Sequence, residues 1–308
     1  MQIDGSLNTA RLAQVPERVA QLRDLGYDGG YAFEGPGDVF TTCTLAAQAM
    51  SGSMALSTQV AVAFARNPLS LAYLANDLQE LSGGHFTLGL GSQARQNIEQ
   101  RFSMSWGKPV TRMRDMIEAL RAIFRCWLEG ERLQHEGPYY THTRMQPMFT
   151  PPPCVHGAPD IMLGAIGRPM TELAGELADA FVVIPFHTPA FLEQVTFPAL
   201  EAGARRAGRH RSALRLHAQC MVVTGCDADT MEEARQRTRN QIAFYGSTPI
   251  YAPALQAAGW GDFHPRWRRM VQEGRWQELA GTVSDAQLEA FAVCGEPESV
   301  AHQLHARF

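Results

Sequence analysis

No run of apolar residues in this 308-residue sequence reaches the length of a membrane span. The opening "MQIDGSLNTARL" places Asp4 and Gly5 where a secretion signal needs an unbroken apolar segment. A cytoplasmic protein with no membrane partner is expected. Charge of one sign is not gathered into a stripe: 27 Lys and Arg are interspersed among 31 Asp and Glu, for a net charge of -4. Nucleic acid is therefore not an expected partner. The six cysteines, Cys43, Cys126, Cys154, Cys220, Cys226 and Cys294, form no CxxC pair, and the ten histidines form no HExxH. Reduced core thiols and no metal are the reading, with His302 and His305 a surface pair on one helix face. Repeats and low-complexity segments are absent too. With 45% hydrophobic and 19% charged residues, the chain should be folded throughout.

What is present is alternation. "QIDGSL" reads as a strand, and Val15, Val19 and Leu22 recur at helical intervals before Gly26. "YDGGYAFE", "MALSTQVAVAF", "HFTLGLG", "IMLGA", "DAFVVIP" and "LRLHAQCMVVTG" read as further strands, each followed by a helical segment. Strands separated by helices run parallel, because the chain must return before it pairs again. The fold class is α/β and the architecture a (β/α)8 barrel, with a doubly wound sheet as the alternative. A single domain is expected over 1–308, with insertions at about 129–158 and 247–295; within the first, "ERLQHEGPYYTHT" resembles a hairpin. An eighth strand is not evident. Either the chain stops short of it or the closure is irregular.

In a parallel barrel all strands end on one rim, where the loops converge. Three of those ends lack bulk: "STQVA" at 57–61, "GLGSQ" at 89–93 and "LGAIGRPM" at 163–170. Bare backbone admits a flat ring or a phosphate at van der Waals contact, so a cofactor pocket is the hypothesis; tight turns are the plainer reading. Gly167 and Arg168 precede a helix expected from Pro169, whose free N–H groups would attract an anion.

"FARNPLSLAYLANDLQELSGGHFTLGLGSQARQNIEQRF", with "GAIGRPMTELAGELADAF" and "IAFYGSTPIYAPALQAAGWGD", resembles the bacterial luciferase-like family, specifically its branch dependent on the deazaflavin coenzyme F420. The resemblance runs from about residue 2 to the end and implies the same barrel, a homodimer, and a deazaflavin or flavin ring across the rim. It implies that Thr58, Gln59 and Val60 form a bulge, often with a cis peptide, behind the ring. Gly91, Ser92, Gln93 and Asn97 would flank the ring, while Gly164, Ala165, Ile166, Gly167 and Arg168 would hold the phosphate. There are departures. Ala94 stands where sugar-phosphate dehydrogenases of the family carry an acidic proton donor, Gly37 replaces a common histidine, and Ile184 stands where a polar residue often touches the phosphate.

Three side chains are candidates for proton transfer: Glu34, Asp38 and His187. Against these, Glu34 can bond loop amides, Asp38 can cap the helix at "FTTCTLAA", and His187 can be a solvated loop residue. His85 starts its strand on the opposite rim. Arg66 and Arg95 lie near the mouth, facing either an acidic coenzyme tail or water. "EEARQRTR" reads as a solvated helix face. Trp106, Tyr139, Tyr140 and Trp260 either line a substrate pocket or anchor the insertions. The functional reading is hydride transfer between F420 and a small organic substrate. The alternatives are a monooxygenase using reduced FMN, in a pocket that excludes water, and a non-catalytic flavin-binding or scaffold protein.

Overall fold

The computed structural model describes residues 1–307. One parallel sheet carries, in order, β1 (Asp4–Ser6), β2 (Gly29–Ala32), β3 (Ala55–Thr58), β4 (Phe86–Gly91), β5 (Asp160–Gly164), β6 (Ala180–Val183) and β7 (Arg215–Ala218). The intervening helices are α1 (Val15–Asp24), α2 (Val39–Met50), α3 (Pro68–Leu81), α4 (Pro109–Glu129), α5 (Arg168–Leu177) and α6 (Phe197–Arg206). This is the expected α/β barrel architecture, with the sheet curled.

The helices start where the sequence offers caps. Asp38 accepts from the amides of Phe40 and Thr41 at the head of α2, and Asn67 accepts from Ser70 at the head of α3, where Pro68 is the first helical residue. α4 buries Met113, Met116, Ile117, Leu120, Ile123 and Phe124, spaced by three and four, and ends at Gly130 with φ 70°.

An eighth strand, not evident in the sequence, is present and is only three residues long. After β7 the chain is interrupted at Gln219 and Cys220. Met221–Val223 then pairs in parallel with β8 (Ala292–Cys294), matching Met221 to Ala292 and Val223 to Cys294. Between these lie α7 (Ala228–Gly246) and several short helices, and after β8 comes α8 (Pro297–Arg307). Three strand residues behind a capped helix give too little periodicity to stand out, so "AVC" reads as part of the helix-and-turn stretch. The insertion expected to run to 295 therefore ends in a short strand whose partner, among the described residues, is Met221–Val223.

Two cores result. One is continuous from Leu7 to Leu214 beneath the sheet. The other gathers Phe186, Phe191, Ile242, Trp267, Leu288 and Phe291 under the final third of the chain. The hairpin pairs His135–Glu136 with Thr141–His142. It is held by buried Asp115, which accepts from the Tyr139 and Tyr140 amides at 2.6 and 2.9 Å and lies 2.7 Å from His135 Nε2. The aromatic residues of the loops anchor: Trp106 packs edge-on against Phe64, Trp260 tilts against Phe291, and Tyr140 accepts from Arg112. Among the described residues no helix is long and apolar enough to cross a membrane.

Candidate active site

Beyond Thr58 the third strand breaks into a bulge and resumes for two residues, Ala61–Val62, that pair with Leu90 and Gly91 of β4. The Gln59–Val60 peptide is cis. Thr58 fixes the entry, its hydroxyl donating to the Gly89 carbonyl at 2.7 Å and accepting from the Gly89 amide at 2.8 Å. Gln59 donates its amide to the Ala32 carbonyl and its side chain to Ser57.

The rim glycines make room for this bulge. A Cβ on Gly89 would lie 1.8 Å from the Thr58 carbonyl oxygen, and one on Gly91 would lie 2.6 Å from Val60 Cγ2. One on Gly164 would lie 3.0 Å from Val60 Cγ1 and 3.0 Å from Val182 Cγ1. The small residues that the sequence offers as space for a ligand are thus occupied first by the chain itself. Val60, half-buried, is wedged between two strand ends and backed by Met162, Ala180 and Val182.

Glu34, just past β2, brackets the bulge. Its amide donates to the Val60 carbonyl at 3.3 Å, and its carboxylate accepts from the Val62 amide at 2.9 Å. The same carboxylate is gripped by Arg66 at 2.7 and 3.0 Å. Arg66 also donates to the Val62 carbonyl at 3.1 Å and to Asp38 at 2.8 Å, and lies over the Phe40 ring. Burial opposes ionisation of Asp38, but Arg66 and the capping amides outweigh it and hold the carboxyl below its usual range. Arg66 is thus paired to two carboxylates and only 16% exposed in its side chain.

At the end of β4, Gln93 adopts φ 60° and its side-chain oxygen accepts from the Ala94 amide and from Asn97. Ser92 is half-buried and Ala94 exposed. Arg95 pairs with Glu99 at 3.0 Å. On the next loop, Gly164, Ala165 and Ile166 lead to Gly167, the N-cap of α5. No side chain caps it, and the nearest atom to a Cβ there is Ile250 Cδ1 at 3.9 Å. Arg168 opens the helix one residue earlier than expected and is tied to Glu172 at 2.8 Å.

His187 is buried, not solvated. Its Nδ1 lies 2.7 Å from the Ile184 carbonyl, and burial pushes its pKa down to about 4, against the raising effect of that carbonyl. It is neutral at physiological pH. Gln219 carries no cue in the sequence beyond a polar residue interrupting an apolar strand. It reaches from the break after β7 to donate to the Gln59 carbonyl at 3.3 Å, joining strand ends 160 residues apart.

The rim therefore offers an apolar wedge, Val60, flanked by neutral amides, next to an uncapped helix start. That combination fits a planar heterocycle carrying a phosphate: the wedge supplies a flat contact, and the bare α5 terminus supplies N–H groups and the positive dipole end. Among the described residues no group of three or more His, Cys, Asp or Glu could hold a metal ion. Two surface cavities, about 610 Å³ beside Cys126, Leu133 and Met145 and about 640 Å³ beside Arg266, Met270 and Thr282, lie outside the rim.

Comparison with known proteins matches residues 1–308 to the model of the luciferase-like monooxygenase family. The uncharacterized protein Rv1360 of Mycobacterium tuberculosis is 43% identical over 307 residues, covering 100% of this chain and 90% of that protein. The fold matches the coenzyme F420 dependent tetrahydromethanopterin reductase from Methanopyrus kandleri with TM-score 0.77 at 20% identity, over 99% of this chain and 88% of the other. It also matches the oxygenating constituent of 3,6-diketocamphane monooxygenase from Pseudomonas putida, in complex with FMN, with TM-score 0.65 at 17% identity, over 100% and 88%. At these identities the structural likeness is one of fold.

Proposed function

Because the chain belongs to the luciferase-like monooxygenase family, we propose that it is an oxidoreductase that moves a hydride between coenzyme F420 and a small organic substrate. The observation that carries this reading is the Val60 wedge standing beside an uncapped α5 terminus. The deazaflavin supplies the hydride chemistry when bound. The protein's share is placement and shielding.

In this reading Thr58, Gln59 and Val60 support one face of the ring, with Gln219 steadying the Gln59 carbonyl. Gly91, Ser92, Gln93 and Asn97 border its edge. Gly164, Ala165, Ile166, Gly167 and Arg168 receive the phosphate on the amides at the head of α5, while Ile184 closes the apolar wall. Glu34 and Asp38 are not proton donors, since each carboxylate is already engaged by Arg66 and by amides. His187, neutral and bonded to Ile184, shapes the loop. In this reading water is the proton partner, since Ala94 stands in place of an acid and Glu34 and Asp38 are engaged by Arg66.

A second reading, a monooxygenase using reduced FMN, is favoured by one observation: Arg66 and Arg95 are both paired to carboxylates, leaving an acidic tail few cations. Titrating the purified protein with F420 and with FMN decides between them, followed by absorption and by oxygen uptake of the reduced complex. The F420 reading expects tighter F420 binding and no oxygen uptake. Preferential FMN binding with oxygen consumption sinks it.

A further inference from the structure

We propose that the Glu34–Arg66 ion pair is the positioning element of the coenzyme seat, setting the height at which Val60 stands on the rim. The inference rests on the reading that Val60 supports the ring.

A bulge leaves backbone groups without ladder partners, and they must be satisfied by other means. β2 ends at Ala32, short of the resumed strand Ala61–Val62, so β2 offers that segment no strand ladder. Glu34 takes that place. Its amide holds the Val60 carbonyl and its carboxylate the Val62 amide, so one residue grips the chain on both sides of Ala61. Arg66 then closes a ring of contacts by bonding both oxygens of that carboxylate and the Val62 carbonyl. Side-chain exposures of 9% for Glu34 and 16% for Arg66 leave little solvent to screen the pair.

A largely buried ion pair is a weak source of net stability, and apolar replacements often serve as well. Its two-pronged geometry gives a fixed distance and angle, which a hydrophobic contact does not. The grip acts on Val60 itself and on Val62, two residues beyond it, and Val60 is the residue that fills the gap between Gly91 and Gly164. Neither side chain needs to touch the coenzyme, so both act through the bulge.

The test uses the full chain with F420 and FMN as probes. Wild type, Glu34→Gln, Arg66→Lys and Asp227→Ala are compared by fluorescence titration, by the absorption band of bound coenzyme and by thermal midpoint. Asp227 caps α7 through the Thr230 amide and serves as the destabilised control. Expected are coenzyme dissociation constants raised about tenfold in Glu34→Gln and Arg66→Lys, with a displaced absorption band. Asp227→Ala should lower the midpoint with wild-type affinity and band. If Glu34→Gln does not fold, Arg66→Lys carries the test, since it keeps the charge and the stem. Wild-type affinity and band in the variants overturn the inference and leave the proposed function standing. Failure of the wild type to bind either coenzyme overturns the proposed function, and the inference with it.

Discussion

The first six strands and the last two are held in place by different means. From β1 to β6 each strand pairs with its neighbours, and the core beneath is continuous. At β7 the support changes partway: the lower half pairs with β6, while Met221–Val223 pairs with β8. Arg215, Leu216 and Ala218 stay exposed. What holds the later region is side-chain packing, with Phe186 stacked on Phe291 at 4.4 Å and flanked by Tyr245 and Tyr251. The contrast shows where precision resides. The regular side can carry an irregular bulge because ladder bonds, glycine gaps and an ion pair all fix it, whereas the later side tolerates a broken strand because aromatic packing is less directional.

The sharpest break of that contrast is Gly89→Ala. The added carbon would sit 1.8 Å from a backbone oxygen that cannot turn away, so a loss of more than about 4 kcal/mol, or failure to fold, is expected. Urea unfolding measures it, and a wild-type midpoint would mean that the bulge is not rigid. Next comes Phe291→Ala in the second core, where the ring is fully buried. A loss of about 3–4 kcal/mol is expected, with hydrogen-exchange protection lost first in Met221–Val223 and kept in β1 to β5.

His187 adds a pH dependence. His187 has a folded pKa of about 4 against an ordinary 6.5, so the unfolded chain takes up the proton first as pH falls. Its contribution is full above pH 6.5 and declines toward pH 4, amounting to about 2 kcal/mol lost by pH 5. Unfolding free energies at pH 7 and pH 5 measure this, and His187→Asn should flatten the slope. Smallest is Gly167→Ala, where the added carbon would meet only Ile250 Cδ1, at an ordinary 3.9 Å. Stability should stay within about 0.5 kcal/mol, in contrast to Gly89.

The alternation of strands and helices was legible because each helix carries its own periodicity and cap, as at Asp38, Asn67 and Gly130. β8 was not, since three residues cannot display a period. The rim glycines were legible as missing bulk, but sequence does not say what fills the gap, and at Gly89 and Gly91 it is the neighbouring strand. Asp38 as a helix cap could be read locally. The engagement of Glu34 by Arg66 could not, because 32 residues separate the partners, and neither could the reach of Gln219 to Gln59. His187 looked like a loop residue because the packing that buries it comes from elsewhere in the chain.

Val60, Gly91 and Gly164 share a single volume, so they should evolve as one unit. A lineage that acquires alanine at 91 must shorten the side chain at 60, and one that lengthens 60 must keep glycine at both strand ends. Homologous sequences should therefore show trades among these three positions, with the sum of their side-chain sizes nearly constant.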